Sequence, residues 1–197
     1  MFTGIVQAVG RIVRVAPLTQ GLRLAIDARA LDLSDVAVGD SICVQGACLT
    51  AVALDGERFE ADVSQETLAC TVGLAAPGAV NLEKSLRLSD RLGGHLVSGH
   101  VDGVGAVRTL ERTGESALLE VIAPPGLARY VARKGSICMD GVSLTVNRVN
   151  GDAFEANLIP HTLEVTTLGR LAPGVKVNLE VDLVARYVER MLAGNGR

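Results

Sequence analysis

The chain has 197 residues, 48% hydrophobic and 21% charged, with a formal net charge of -3. That is the composition of one or two globular domains, and no basic run supplies the cationic footprint that a nucleic-acid backbone demands. No stretch approaches the roughly 20 apolar residues that span a bilayer, and the opening MFTGIVQAVG has neither a basic leader nor a small-residue cleavage site. We therefore expect a soluble cytoplasmic protein with its four cysteines (Cys43, Cys48, Cys70, Cys138) reduced. With 3% aromatic residues and no Trp, the core has to be aliphatic.

In chain order, FTGIVQAVG (2–10) leads into GLRLAID (21–27), where Leu22, Leu24 and Ile26 alternate as in a half-buried strand. ARALDLSD (28–35) predicts a short helix. SICVQGACLT (41–50) follows, then LDGERFEADVSQETLACT (54–71), in which Asp55-Gly56 between apolar runs marks a hairpin turn. Pro77-Gly78 punctuates a last strand that reads VNLE. After the join near SDRLGGH (89–95) the same order returns. VSGHVDGVG (97–105) lies over 2–10, SICMDGVSLT (136–145) over 41–50, and VNGDAFEANLIPHTLEVT (149–166) over 54–71. A second short helix is expected in PGLARYVARKG (125–135), a second hairpin turn at Asn150-Gly151, and Pro173-Gly174 precedes VKVNLEVD. Between Ser41 and Thr71 the offset of 95 never slips, and 13 of 31 positions are identical. The chain is a tandem duplication of about 90 residues per unit. Short strands with Gly-rich turns point to a small closed barrel in each unit, hence an all-β fold.

The tail has no partner in the first repeat. Leu183, Val184, Tyr187, Val188, Met191 and Leu192 form one apolar stripe of a helix beginning near residue 183. Asp182 is placed to cap its start and Gly194 its end. The stripe could cover a barrel end or bind another copy of the chain. Other motifs fail. GVGAVR (103–108) lacks the third Gly of a dinucleotide loop. Glu83 replaces the second Gly that a P-loop would need. The His and Cys spacings do not make a zinc site.

Identical polar and glycine positions say more than a shared core would. Thr3/Ser98, Gly4/Gly99, Gly46/Gly141, Thr50/Thr145 and Thr67/Thr162 are hydroxyls and glycines, which suit close approach and hydrogen bonding to a polar small molecule. The segments MFTGIVQ, GACLTAV, GGHLVSGH, DGVSLTVN and LIPHTLEVTTLG together resemble riboflavin synthase of the homotrimeric α-type, from Met1 to about Asp182. The resemblance implies two tandem six-stranded Greek-key β-barrels (1–95 and 96–192) plus a C-terminal amphipathic helix. It implies a reaction in which one 6,7-dimethyl-8-ribityllumazine passes a four-carbon unit to another, giving riboflavin and 5-amino-6-(D-ribitylamino)uracil. It implies no metal and no cofactor. Some members of the family also dock with lumazine synthase. Gln45 and Ala51 stand where the family more often carries Asn or Asp and Val.

By motif, the first unit would bind through Gly4, Ile5, Val6, Cys48, Leu49, Thr50, Asp62, Val63, Ser64, Gln65, Glu66 and Thr67. The second would use Gly99, His100, Val101, Lys134, Ser143, Leu144, Thr145, Asn157, Leu158, Ile159, Pro160, His161 and Thr162. Matched positions are expected to bind, whereas the mismatches Cys48/Ser143, Ile5/His100, Gln45/Asp140, Gly39/Lys134 and Glu66/His161 would assign donor and acceptor roles. His100 is the natural proton-transfer group, against a structural His beside Gly99. Cys48 could be a nucleophile, but a thiol in aliphatic surroundings is barely ionised at neutral pH, so an orienting part is preferred. Ser41 and Ser143 are hydrogen-bonding candidates in the catalytic set. Lys134 either faces an anionic lumazine or is a solvated lysine before the Gly135 turn, and His95 is read as structural. The resemblance also implies that the N-terminal end, from Phe2, borders the active site. A lumazine- or flavin-binding antenna protein and a structural double barrel are the rival readings.

Overall fold

The computed structural model describes residues 1–194. Six strands belong to each repeat: β1 (Ala8–Leu18), β2 (Gly21–Asp27), β3 (Ser41–Val44), β4 (Ala47–Asp55), β5 (Arg58–Ser64) and β6 (Gly78–Lys84), then β7 (Gly103–Thr113), β8 (Ser116–Ile122), β9 (Ser136–Met139), β10 (Val142–Asn150), β11 (Ala153–Leu158) and β12 (Lys176–Val181). The first six close into a barrel in the order β1-β2-β5-β4-β3-β6, and the second six repeat that order as β7-β8-β11-β10-β9-β12. All these pairings are antiparallel. Closure removes the exposed edges that a short open sheet would leave.

Each barrel has its own aliphatic core, with Ile12, Leu24, Ile26 and Leu82 fully buried in the first and Leu119, Val146, Val177 and Leu179 in the second. β2 alternates as its sequence predicts. The VKVNLEVD segment, whose Val175, Val177, Leu179 and Val181 also alternate in sequence, does not: β12 is buried on both faces from Val177 to Val181, and Val175 lies outside it. On the second face Asn178 is buried against Gln45 and Val72 of the first repeat, and Glu180 beneath the segment 98–100.

The turns fall at Gly56 (φ +58°) and Gly151 (φ +59°). The repeated decapeptide is itself a hairpin. Gln45-Gly46 (φ +51°, +90°) and Asp140-Gly141 (φ +50°, +82°) form two-residue turns in which both residues need the left-handed region. The helix expected at 28–35 is a run of turns instead. Leu31 and Leu33 both reach the first core, and Asp32 and Asp40 side chains accept the Ser34 and Ala37 amides at 2.9 Å. The one expected at 125–135 shrinks to a 3₁₀ turn at Ala128–Tyr130. Two six-residue helices, α1 (Gln65–Cys70) and α2 (Pro160–Val165), follow β5 and β11; they are too short for periodicity to reveal. The tail is α3 (Leu183–Gly194), capped by Asp182, whose Oδ1 accepts the Val184 amide at 2.9 Å. Among the described residues no helix is long and apolar enough to cross a membrane.

Candidate active site

The segments that open each repeat join the two barrels. Phe2 and Val97 pair antiparallel, bonded through N–H and C=O at 2.7 and 3.1 Å, and are fully buried with Cys43 and Cys138 between the barrels. Burial pushes both of those thiols well up, so they are inert.

From there each segment runs into the opposite barrel. Glu83 on β6 accepts the Thr3 amide (2.7 Å), the Thr3 hydroxyl (2.6 Å) and the Gly4 amide (3.0 Å). The Gly4 carbonyl then accepts the Ser143 amide of the second barrel at 2.7 Å. The reciprocal set holds the other segment. Glu180 on β12 accepts from Ser98 N (2.7 Å), Ser98 Oγ (2.8 Å), Gly99 N (2.9 Å) and His100 N (3.0 Å), and the Gly99 carbonyl accepts the Cys48 amide at 2.8 Å. Gly4 and Gly99 sit at φ +75° and +77°, and a Cβ on either would lie 2.6 or 2.7 Å from the Cβ of Ser143 or Cys48. Val6 accordingly packs on the second core and Val101 on the first. The grouping expected from sequence is therefore exchanged: Gly4, Ile5 and Val6 join the second barrel's residues, and Gly99, His100 and Val101 join the first's. The repeated Glu of VNLE was the available signal, since an acid recurring near the end of an apolar strand needs buried donors.

Against the first barrel, a cavity of about 220 Å³ is lined by Cys48, Glu66, Thr67, Cys70, Gly99 and His100, among others. Ser64 caps α1, accepting the Thr67 amide at 3.1 Å, and so aims Glu66 and Thr67 into it. Burial and the nearby Glu66 charge raise the Cys70 thiol. Ile159 holds the cap position of α2 without a side-chain bond, with Pro160 at its start, and His161 and Thr162 occupy the places of Glu66 and Thr67.

At the second barrel, Ser143 Oγ lies 2.7 Å from His95 Nδ1. The His95 amide is tied to the Thr3 carbonyl at 3.1 Å, and its Nε2 is buried with no hydrogen-bond partner among the described residues. Burial lowers its pKa below 6.5, against a smaller opposite effect from Asp182, which favours a neutral ring. His95, read from sequence as structural, is thus bonded to Ser143 of the expected catalytic set.

Gln45 and Asp140 do not line the cavity at Cys48 and His100. They lie where the hairpin turns of the two repeats meet, Gly46 against Gly141. Gln45 Oε1 accepts the Asn81 amide at 2.9 Å, and Asp140 Oδ1 accepts the Asn178 amide at 2.8 Å. Asn81 Nδ2 reaches the Asp140 carbonyl (2.8 Å) and Asn178 Nδ2 the Gln45 carbonyl (2.9 Å), so the Asn of each VNLE crosses to the other barrel. Asp140 is 3% exposed, and burial raises its carboxyl to about 7.

The remaining residues divide by direction. Leu49, Val63, Leu144 and Leu158 point into the cores, so only their backbones are open to a ligand. Thr50, Thr145, Gln65 and Asn157 are exposed. Asp62 faces outward, held by Arg23 at 2.7 and 2.9 Å, which lowers its carboxyl. Ser41 pairs with Thr50 across β3 and β4. Lys134 is an exposed non-glycine at φ +67°, taking the place of Gly39 at φ +101°. Among the described residues no group of three or more His, Cys, Asp or Glu is placed to hold a metal ion.

Comparison with known proteins agrees with this duplicated architecture. The lumazine binding domain matches twice, over residues 3–85 and 98–182. Riboflavin synthase of Photobacterium phosphoreum is 43% identical over 98% of this chain and 89% of its own length. That of Mycobacterium bovis (strain ATCC BAA-935 / AF2122/97) is 45% identical over 100% of both. The crystal structure of LumP complexed with 6,7-dimethyl-8-(1'-D-ribityl) lumazine superimposes with a TM-score of 0.77 at 25% identity, over 92% of this chain and 99% of that one.

Proposed function

The chain belongs to the riboflavin synthase family, enzymes converting a lumazine to riboflavin, and on that premise we propose how its two unlike pockets divide the reaction. One 6,7-dimethyl-8-ribityllumazine occupies each pocket type, one between Cys48 and His100 and the other beside Ser143. A four-carbon unit passes between them, leaving riboflavin and 5-amino-6-(D-ribitylamino)uracil. The observation that carries this reading is the reciprocal exchange of Gly4 and Gly99, which builds two pockets to one plan but seats different chemistry in them.

In the first, His100 takes the proton from the C7 methyl and Cys48 orients the ring. In the second, a neutral His95 accepts the Ser143 hydroxyl proton, making that oxygen the better nucleophile or water-activating group. The first cavity, at about 220 Å³, is smaller than a usual pocket of about 300–1,000 Å³. It leaves one ring face for the ligand of a neighbouring subunit. Holding two rings face to face removes much of the entropic cost of a bimolecular step, up to roughly 7–11 kcal/mol in the best-oriented cases. A homotrimer assembled through the α3 stripe supplies that neighbour. Val184, Tyr187, Met191 and Leu192 are each more than 60% exposed, which supports such an assembly. The repeats 1–95 and 96–192 are the units of the duplication, and a cytoplasmic setting suits the four free cysteines.

The test is to incubate the protein with the lumazine alone and follow both products. Riboflavin and the aminouracil should appear in equal amounts, one of each per two lumazines. Tight binding without product would place the chain with the antenna proteins, and neither would leave a structural double barrel.

A further inference from the structure

The geometry points to Arg186 as a positioning residue that sets His100 from the C-terminal helix. His100 is gripped at both ends of its backbone: Glu180 Oε2 takes its amide at 3.0 Å, and Arg186 Nη2 donates to its carbonyl at 3.1 Å. Arg186 is itself held by Asp102, with Nη1 and Nη2 each 2.8 Å from a carboxylate oxygen. Asp102 Oδ2 also accepts the Val181 amide at 2.8 Å, so the pair is fixed to β12.

The first repeat shows what is added. There Gln7 Oε1 accepts the Lys84 amide at 2.9 Å, doing the strand-end work of Asp102 with a neutral amide. No hydrogen bond to the Ile5 carbonyl occurs among the described residues. Among the described residues the carboxylate and the guanidinium are present on the side that carries His100, and Arg186 belongs to α3, which has no counterpart in the first repeat. A planar two-point fork suits this task, since it satisfies a carboxylate and a carbonyl together without rotating. Because α3 presents its apolar stripe outward while Arg186 reaches inward, the helix ties the assembled state to the placement of His100.

This rests on the reading of His100 as the proton-transfer group. Arg186→Met should lower kcat about tenfold to hundredfold with KM within about twofold, the pattern of a misplaced group rather than a lost contact. Arg186→Lys should recover part of the loss, and Asp102→Asn should fall between. Adding Arg186→Met to His100→Gln should cost nothing further. Sedimentation should give every variant the mass of the unaltered protein. Unchanged kcat in Arg186→Met, a matching rise in KM, or loss of assembly alongside activity each overturns the inference. If His100→Gln itself turns over normally, the reading of His100 fails. If only that variant is crippled, the Arg186 inference fails alone.

Discussion

The Ser143 amide donates to the Gly4 carbonyl at 2.7 Å, tying the first residues of the chain to the second barrel. Its mirror image, Cys48 to Gly99 at 2.8 Å, ties the start of the second repeat to the first barrel. Each opening segment is completed by a strand of the other repeat.

Gly4→Ala and Gly99→Ala should therefore damage opposite pockets. A Cβ at Gly4 meets Ser143, one at Gly99 meets Cys48, and both backbones sit at positive φ. Titration with the lumazine should show each variant losing a different one of two classes of site, with turnover lost in both. Equal damage to both classes in either variant would contradict the exchange.

Asp140 should make stability fall as pH rises. Its folded carboxyl titrates near 7 against an ordinary 3.8 because burial disfavours the charge. The raised value means its contribution is complete below about 4, is lost between about 4 and 7, and is level above that. The full gap corresponds to about 4 kcal/mol. Asp140→Asn keeps an oxygen for the Asn178 amide and tolerates φ +50°. Relative to the unaltered chain it should gain about 2–4 kcal/mol at pH 8 and nothing at pH 4, measured by urea unfolding.

Cys48 and His100 line one cavity, and their counterparts across the repeat are Ser143 and Ile5. Cys48→Ser with His100→Ile therefore makes the first pocket imitate the second. Lumazine affinity should hold within a few-fold while turnover falls by at least about a hundredfold, a combined loss on the scale of general acid–base catalysis. Undiminished turnover would show that the difference between pockets does not assign the two roles.

Tyr187 and Met191 are 65% and 72% exposed on α3. Tyr187→Glu with Met191→Glu should give single chains by sedimentation, with far-UV dichroism unchanged because both cores lie elsewhere. Turnover should drop with the mass, since one ring face would then lie open to water.

The primary sequence by itself determined the duplication, the all-β class, the turns at Gly56 and Gly151 and the amphipathic tail, because each depends on residues close together or on a fixed offset. It also singled out Gly4, Gly99, Cys48, Ser143 and His100. Only the tertiary structure decided which of them face one another. Exchange of the opening segments is a long-range bond pattern, Glu83 to Thr3 and Ser143 to Gly4, that leaves no local period. The same holds for Gln45 and Asp140: read along the chain they are a charge difference between ligand pockets, and in three dimensions they sit at the barrel junction. The bonds of His95 and Arg186 stayed hidden for that reason too. A lone histidine and one arginine on a helix carry no pattern, and their partners, Ser143 and the His100 carbonyl, are brought to them by folding alone.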